Sequence, residues 1–120
     1  MSVRAVRGAI QVELDERQVI LDGVSELVKE VMSRNQIEPD QLISILFTAT
    51  PDLKSEFPAY AARQLGLIDV PLMCASEIAV PGALPRTLRL LAHFDTELRR
   101  GEIRHVYLRG AAALRTDLPQ

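Results

Sequence analysis

Apolar residues recur along this chain in two rhythms, and the switches between them divide it into elements. Residues 3–12 form a short apolar-rich run interrupted by Arg4 and Arg7, which reads as a strand. Arg4 and Arg7 differ in parity and so face opposite sides of it. Gly8, inside this run, marks a bulge or a close backbone approach. Ile20, Val24, Leu27 and Val31 then follow the helical period, widened by Leu21, Val28 and Met32. Asp22, Glu26, Lys29, Glu30 and Ser33 make the wet face of that helix. Asp15, with Gln18 three residues on, has the spacing of a capping box, so the helix is predicted from there to about residue 34.

Beyond Pro39, residues 42–47 are an apolar run bounded by turn signals, read as a buried strand, and residues 48–52 read as a polar loop. Pro58 suits the first turn of a short helix reaching about residue 65, where Gly66 stops it. Residues 70–74 read as a strand and residues 80–83 as a turn. Pro85 can open another helix to about residue 94, with Arg86, Arg89 and His93 along one face. Residues 103–108 give a last strand, and about 112–120 read as a flexible tail. The order implies an α+β chain in which a sheet carries helices mostly on one face. One long helix cannot cover both faces, so the other is wet or packed on another subunit, and an oligomer is predicted.

The length of 120 residues fits a single domain spanning 1–120, with one modest core. A hydrophobic fraction of 48% and a charged fraction of 25% are those of an ordinary soluble globular protein. No tract is long and apolar enough to span a bilayer, and the first residues lack the apolar core of a secretory signal, so the predicted address is the cytoplasm, with no membrane partner. Cys74 is the only cysteine, which excludes an internal disulfide and argues against a cysteine-based metal cluster. A net charge of −2 argues against a nucleic-acid partner. Among the basic residues, 12 are Arg and 2 are Lys. Arg presents a planar fork suited to carboxylates and phosphates, although codon bias alone explains such a count.

Several segments carry more information together than singly. They are Arg4-Ala5-Val6-Arg7-Gly8-Ala9, Thr48-Ala49-Thr50-Pro51-Asp52-Leu53, Phe57-Pro58-Ala59 with Arg63, and Val70-Pro71-Leu72-Met73-Cys74 with Glu77. The series continues with Arg89, Ile103-Arg104-His105-Val106-Tyr107-Leu108 and Leu114-Arg115-Thr116-Asp117-Leu118. In order and spacing, over almost the whole chain, they resemble the monofunctional bacterial chorismate mutases that form homotrimers. The resemblance implies a mixed sheet in each subunit, a trimeric pseudo-α/β barrel and active sites in the clefts between neighbours. It implies rearrangement of chorismate to prephenate in phenylalanine and tyrosine biosynthesis, without cofactor or metal.

That chemistry suits a chain with no G-x-S-x-G elbow, no metal cluster and no phosphate loop. One C–O bond breaks as a C–C bond forms, no proton must move, and no nucleophile is needed. The protein must hold a dianion in a folded conformer and stabilise charge that separates toward the ether oxygen. By the resemblance, Arg89 is the cation at that oxygen, while Arg7 and Tyr107 orient the enolpyruvyl carboxylate. Glu77 lies near the ring hydroxyl and the developing positive charge, and Cys74 gives the same hydroxyl a weak hydrogen bond. Phe57 and Ala59 supply apolar wall from the neighbouring subunit, and Leu72 and Met73 the opposing wall. Arg63 and Arg115, with Leu114 beside the latter, take steering or lid positions. Read without the resemblance, Arg89 is a solvated helix-face arginine, Arg7 a member of an internal ion pair, Cys74 a small buried hydrophobe and Tyr107 a half-buried strand residue.

Tyr60 stands where the family pattern has a lysine, Met73 where it has a small hydroxyl residue, and Ile10 where it has a polar one. The first two bear on peripheral substrate contacts and affinity. Two other readings stand beside the mutase. One is a trimeric enamine/imine deaminase that holds a carboxylate with arginine, and the other is a non-catalytic module binding an anionic metabolite between subunits.

Overall fold

A computed structural model describes residues 1–115. Five strands form one sheet: β1 (Ser2–Gln11), β2 (Leu42–Ala49), β3 (Leu72–Ser76), β4 (Thr87–Thr96) and β5 (Val106–Leu108). They lie side by side in the order β3-β2-β4-β1-β5. The sheet is mixed, with β4 antiparallel to both neighbours while β5 on β1 and β3 on β2 run parallel. Two α-helices, α1 (Arg17–Arg34) and α2 (Pro58–Gln64), pack on one face, which gives the predicted α+β architecture.

The core lies between that face and the helices. Val6 and Ile10 of β1, Ile45 and Phe47 of β2, and Leu88, Leu90, Ala92 and Phe94 of β4 meet Ile20, Val24, Leu27 and Val31 of α1. Phe47 and Phe94 are among its largest fully buried side chains, and burial contributes about 1.5–3 kcal/mol for each. Gly8 lets α1 approach β1 closely: a Cβ there would sit 3.0 Å from Leu27 Cδ1 and 3.1 Å from Val31 Cγ2. The close approach read from the sequence is therefore present, and the ladder runs through Gly8 without a bulge.

The helix predicted over 85–94 is a strand instead, and it is the central one. Arg86, Arg89 and His93 have helical spacing, but Leu88, Leu90, Ala92 and Phe94 are buried while Arg89, Leu91, His93 and Asp95 are only partly so. That alternation has period two, and partners on both edges satisfy the backbone of β4. Adjacent Leu90 and Leu91 hide the rhythm in the sequence. Pro85 precedes the strand, and Arg86 turns into it at a φ of 49°.

Smaller departures follow the same logic. Thr48 and Ala49 belong to β2, not to the loop after it. The strand expected over 70–74 is shifted to Leu72–Ser76, and the last strand shortens to Val106–Leu108. Glu16, not Asp15, occupies the cap position of α1, without a side-chain bond. The Asp15 carboxylate instead accepts the backbone N–H groups of Lys54 (2.8 Å) and Ser55 (3.0 Å), tying the connector before α2 to the start of α1. Those bonds, led by Lys54, hold its pKa below the usual carboxylate value.

At its other end, α1 stops on Asn35, which is 1% exposed. Its side chain donates to the carbonyls of Val31 and Arg104 (both 2.9 Å) and accepts the Arg104 N–H (2.7 Å). One amide thus ends the helix and fixes the approach to β5. A 3-10 segment, Arg109–Leu114, follows β5 and folds back so that Ala111 packs on Ala9 and Tyr107. The tail expected over 112–120 is thus placed as far as Arg115, while residues 116–120, including Thr116-Asp117-Leu118 of the resemblance, lie outside the described residues. No described helix is long and apolar enough to cross a membrane.

Asn35→Ala leaves the Arg104 peptide without its buried partners and should destabilise the fold by about 1–3 kcal/mol. A drop in urea midpoint at unchanged m-value is the expected result.

Candidate functional site

Strand parity sorts the side chains that matter. The face away from the helices carries the row Ala75, Thr48, Arg89, Ala9, Tyr107, one residue from each strand across the sheet. The next row carries Met73, Leu46, Leu91 and Arg7. Between these rows and the returning 3-10 segment lies a concavity of about 320 Å³, with Arg7, Thr48, Arg89, Tyr107, Leu114 and Arg115 among its lining residues. Gly8, Leu46, Leu90 and Leu91 complete the lining. Tyr107, 5% exposed, lines it at the β1–β5 edge, packed against buried Ala9 and Ala111.

Glu77 reaches this site from just past β3. Its backbone N–H donates to the Ala49 carbonyl (2.9 Å), which carries the parallel pairing one residue beyond the strand. Its Oε2 accepts a 2.6 Å hydrogen bond from Thr48 Oγ1 and lies 3.1 Å from Arg89 Nε. That last contact is an ion pair without hydrogen-bond alignment, since Arg89 Nε is buried with no hydrogen-bond partner. At 41% exposure for the Arg89 side chain and 18% for Glu77, the pair sits at the edge of the cavity rather than in the core.

His105 lies beneath Arg7, and its Nδ1 accepts the Arg7 backbone N–H (3.0 Å). That bond assigns the neutral tautomer with the proton on Nε2. Burial pushes the imidazole pKa down, and the positive charges of Arg7 and Arg115 push it further. The ring thus senses a cationic field from residues lining the cavity. Among the described residues, Arg7, Arg89 and Arg115 line the cavity beside the Glu77 carboxylate, and the planar guanidinium fork suits carboxylate groups of a ligand.

The residues singled out in the sequence fall into two groups. Arg7, Arg89, Tyr107, Leu114 and Arg115 line one cavity, with Glu77 bonded at its edge. Phe57, Ala59, Tyr60, Arg63, Leu72 and Cys74 do not line it. Leu72 and Cys74 share the parity of Ile45 and Phe47 and face the helices, where the Ala59 N–H donates to Cys74 Sγ (3.3 Å). Phe57 stands 71% exposed at the start of α2, and Arg17 stacks over the Tyr60 ring at 5.4 Å. Met73 is on the cavity face of the sheet, beside Leu46, but 67% exposed. Thr48, Leu46 and Leu91 were not picked out from the sequence as site residues. The signal for Thr48 was the continued alternation from Leu46, lost by ending the strand at Phe47.

The neutral state of His105 carries a pH dependence. Below its ordinary value near 6.5 the unfolded chain takes up a proton that the native ring resists, so stability is lost as pH falls through that range. Replacing His105→Asn, which keeps an acceptor for the Arg7 N–H, should shrink the fall in urea midpoint between about pH 7 and 5.5. An unchanged fall would assign the effect to other groups.

The family model for chorismate mutase type I matches residues 3–118. "Chorismate mutase AroH" of Thermus thermophilus is 47% identical over 117 residues, covering 97% of this chain and 96% of that protein. The protein of the same name from Bacillus subtilis is 38% identical over 119 residues, covering 98% and 94%. A solved chorismate mutase from Clostridium thermocellum superposes with a TM-score of 0.91 at 42% identity, covering 92% of this chain and 98% of that one.

Proposed function

This chain belongs to the chorismate mutase type I family, and we propose that it rearranges chorismate to prephenate in a cleft completed by a second copy of itself. The observation that carries this reading is the single concavity in which Arg7, Arg89, Tyr107 and Arg115 converge beside Glu77. Chorismate is a dianion, and its reaction asks for positioning and fixed charge rather than for a proton donor or nucleophile. Arg7 and Tyr107 bind the enolpyruvyl carboxylate and fold that arm over the ring. Arg89 faces the ether oxygen as negative charge grows on it, and its fork can hold a carboxylate in the same pose. Glu77 takes the ring hydroxyl side, where positive charge develops. Leu114 and Arg115 close the mouth, and the arginines draw a dianion inward.

The second copy accounts for the other group. Phe57, Ala59, Tyr60, Arg63, Leu72 and Cys74 do not line the cavity of their own chain, yet Phe57 and Tyr60 are exposed at α2. Exposed Leu46 and Met73 on the cavity face, with Ile78 and Val80 beyond β3, supply apolar surface for an interface. In this arrangement α2 of a neighbour lays Phe57 and Ala59 against the ligand as apolar wall, with Arg63 at the rim, and a homotrimer closes three such clefts. Cys74 acts as a weak hydrogen-bond partner without a nucleophilic role. The enzyme works in the cytoplasm, and neither nucleic acid nor membrane is a partner. The deaminase reading is disfavoured because the matching family model and the similar proteins are chorismate mutases.

Purified protein should consume chorismate and form prephenate, followed by absorbance, and Arg89→Ala should lower kcat/KM by about 10²–10³-fold or more. Undiminished turnover in that variant would move the cation elsewhere.

The shared cleft has its own test. Phe57→Asp puts a negative charge against a dianion, so it and Arg89→Ala should each be nearly inactive. Unfolding the two together and refolding them should return activity, because some clefts then join two intact halves. No recovery in mixed oligomers would place each site within one subunit, and a light-scattering mass near 13.3 kDa would remove the oligomer itself.

A further inference from the structure

We propose that Thr48 is a positioning residue for the rearrangement, holding the Glu77 carboxylate at the Nε edge of Arg89 so that the cation keeps facing the cavity. The proposal rests on the mutase reading of that cavity and adds a residue to it.

Thr48 occupies the centre of the outer row, between Ala75 on β3 and Arg89 on β4. Its hydroxyl donates to Glu77 Oε2 at 2.6 Å, while the carbonyl of Ala49, the next residue, accepts the Glu77 N–H at 2.9 Å. Two successive residues of β2 therefore hold Glu77, one by its side chain and one by its main chain. The oxygen bound by the hydroxyl is also the one 3.1 Å from Arg89 Nε. One carboxylate oxygen thus serves a hydroxyl and a cation together.

The geometry explains why such a clamp matters. A carboxylate beside a guanidinium prefers a two-pronged, aligned pairing. Here the contact is not aligned, and Arg89 Nε is left buried without a hydrogen bond. The hydroxyl bond restrains the carboxylate from swinging into a two-pronged pose, in which Glu77 would occupy guanidinium donors that the substrate needs. Threonine suits the task because its branched side chain is stiff at χ1 on a strand. Thr48 also lines the cavity, so the clamp is formed at the site itself.

Thr48→Val keeps the shape and removes the donor, and Thr48→Ser keeps the donor. With circular dichroism and oligomer mass unchanged, Thr48→Val should lower kcat by about tenfold while KM moves much less, and Thr48→Ser should recover most of the loss. In a Glu77→Gln background, Thr48→Val should add little further loss, because both changes act on one contact. Wild-type kcat in Thr48→Val, equal damage from both Thr48 variants, or full multiplication with Glu77→Gln would overturn the proposal. A readout independent of turnover separates it from the mutase reading. The side-chain carboxyl 13C resonance of Glu77 should move in Thr48→Val and return in Thr48→Ser. If wild type fails to convert chorismate, the mutase reading falls and with it Thr48 as a residue of that reaction, and the resonance then reports the clamp alone. If wild type is active but the resonance is unmoved, the clamp itself is absent.

Discussion

The alternation of β4 is the constraint on which the rest of this structure depends. A strand paired on both edges must send successive side chains to opposite faces, and β4 sends Leu88, Leu90, Ala92 and Phe94 into the core under the helices. Arg89 is thereby forced to the other face, at the middle of the sheet, with Thr48 and Ala9 as its cross-strand neighbours. A charge placed there is flanked by strands that cannot move without disturbing the core. Electrostatic catalysis requires that kind of fixed cation, because a charge that must reorient during the reaction loses most of its advantage.

The remaining groups reach Arg89 by three routes of different rigidity. Arg7 and Tyr107 come from the parallel pair β1 and β5, where Tyr107 packs with Ala9 and Ala111. Glu77 comes from beyond the end of β3 and is held by β2 through both main chain and side chain. Leu114 and Arg115 come from the 3-10 segment after β5, the last described part of the chain. Fixed residues thus surround the charge, and the mouth is formed by the segment nearest the chain end. His105 ties the group together from below, since its ring accepts the Arg7 backbone N–H and feels both arginines.

Helices on one face leave the other face of the sheet with its cavity-facing row and several exposed apolar residues, among them Leu46 and Met73. The same economy of layers explains why α2 and Cys74 are remote from the cavity of their own chain. A sheet covered once leaves its second face available both to form the cavity and to carry the proposed contact between copies.

Much of this was written in local patterns. The period of α1, the run of β1, the start of α2 at Pro58 and the restriction of helices to one face were legible, because each rests on spacing within a single element. The site residues Arg7, Arg89 and Tyr107 were named from the order and spacing of short segments shared with a family. Spacing could not decide residues 85–94, where helical and strand rhythms both fit Arg89 and His93 and only the partners β1 and β2 settle the matter. Nor could it show Asp15 serving the α2 connector, Asn35 joining α1 to β5, or Thr48 gripping Glu77, since each joins residues distant in the chain. Sequence by itself determined which side chains the chain has to offer and the local rhythm of α1 and β1. Tertiary structure decided which of them meet, because strand pairing assigns each residue a face and a neighbour that no local pattern contains.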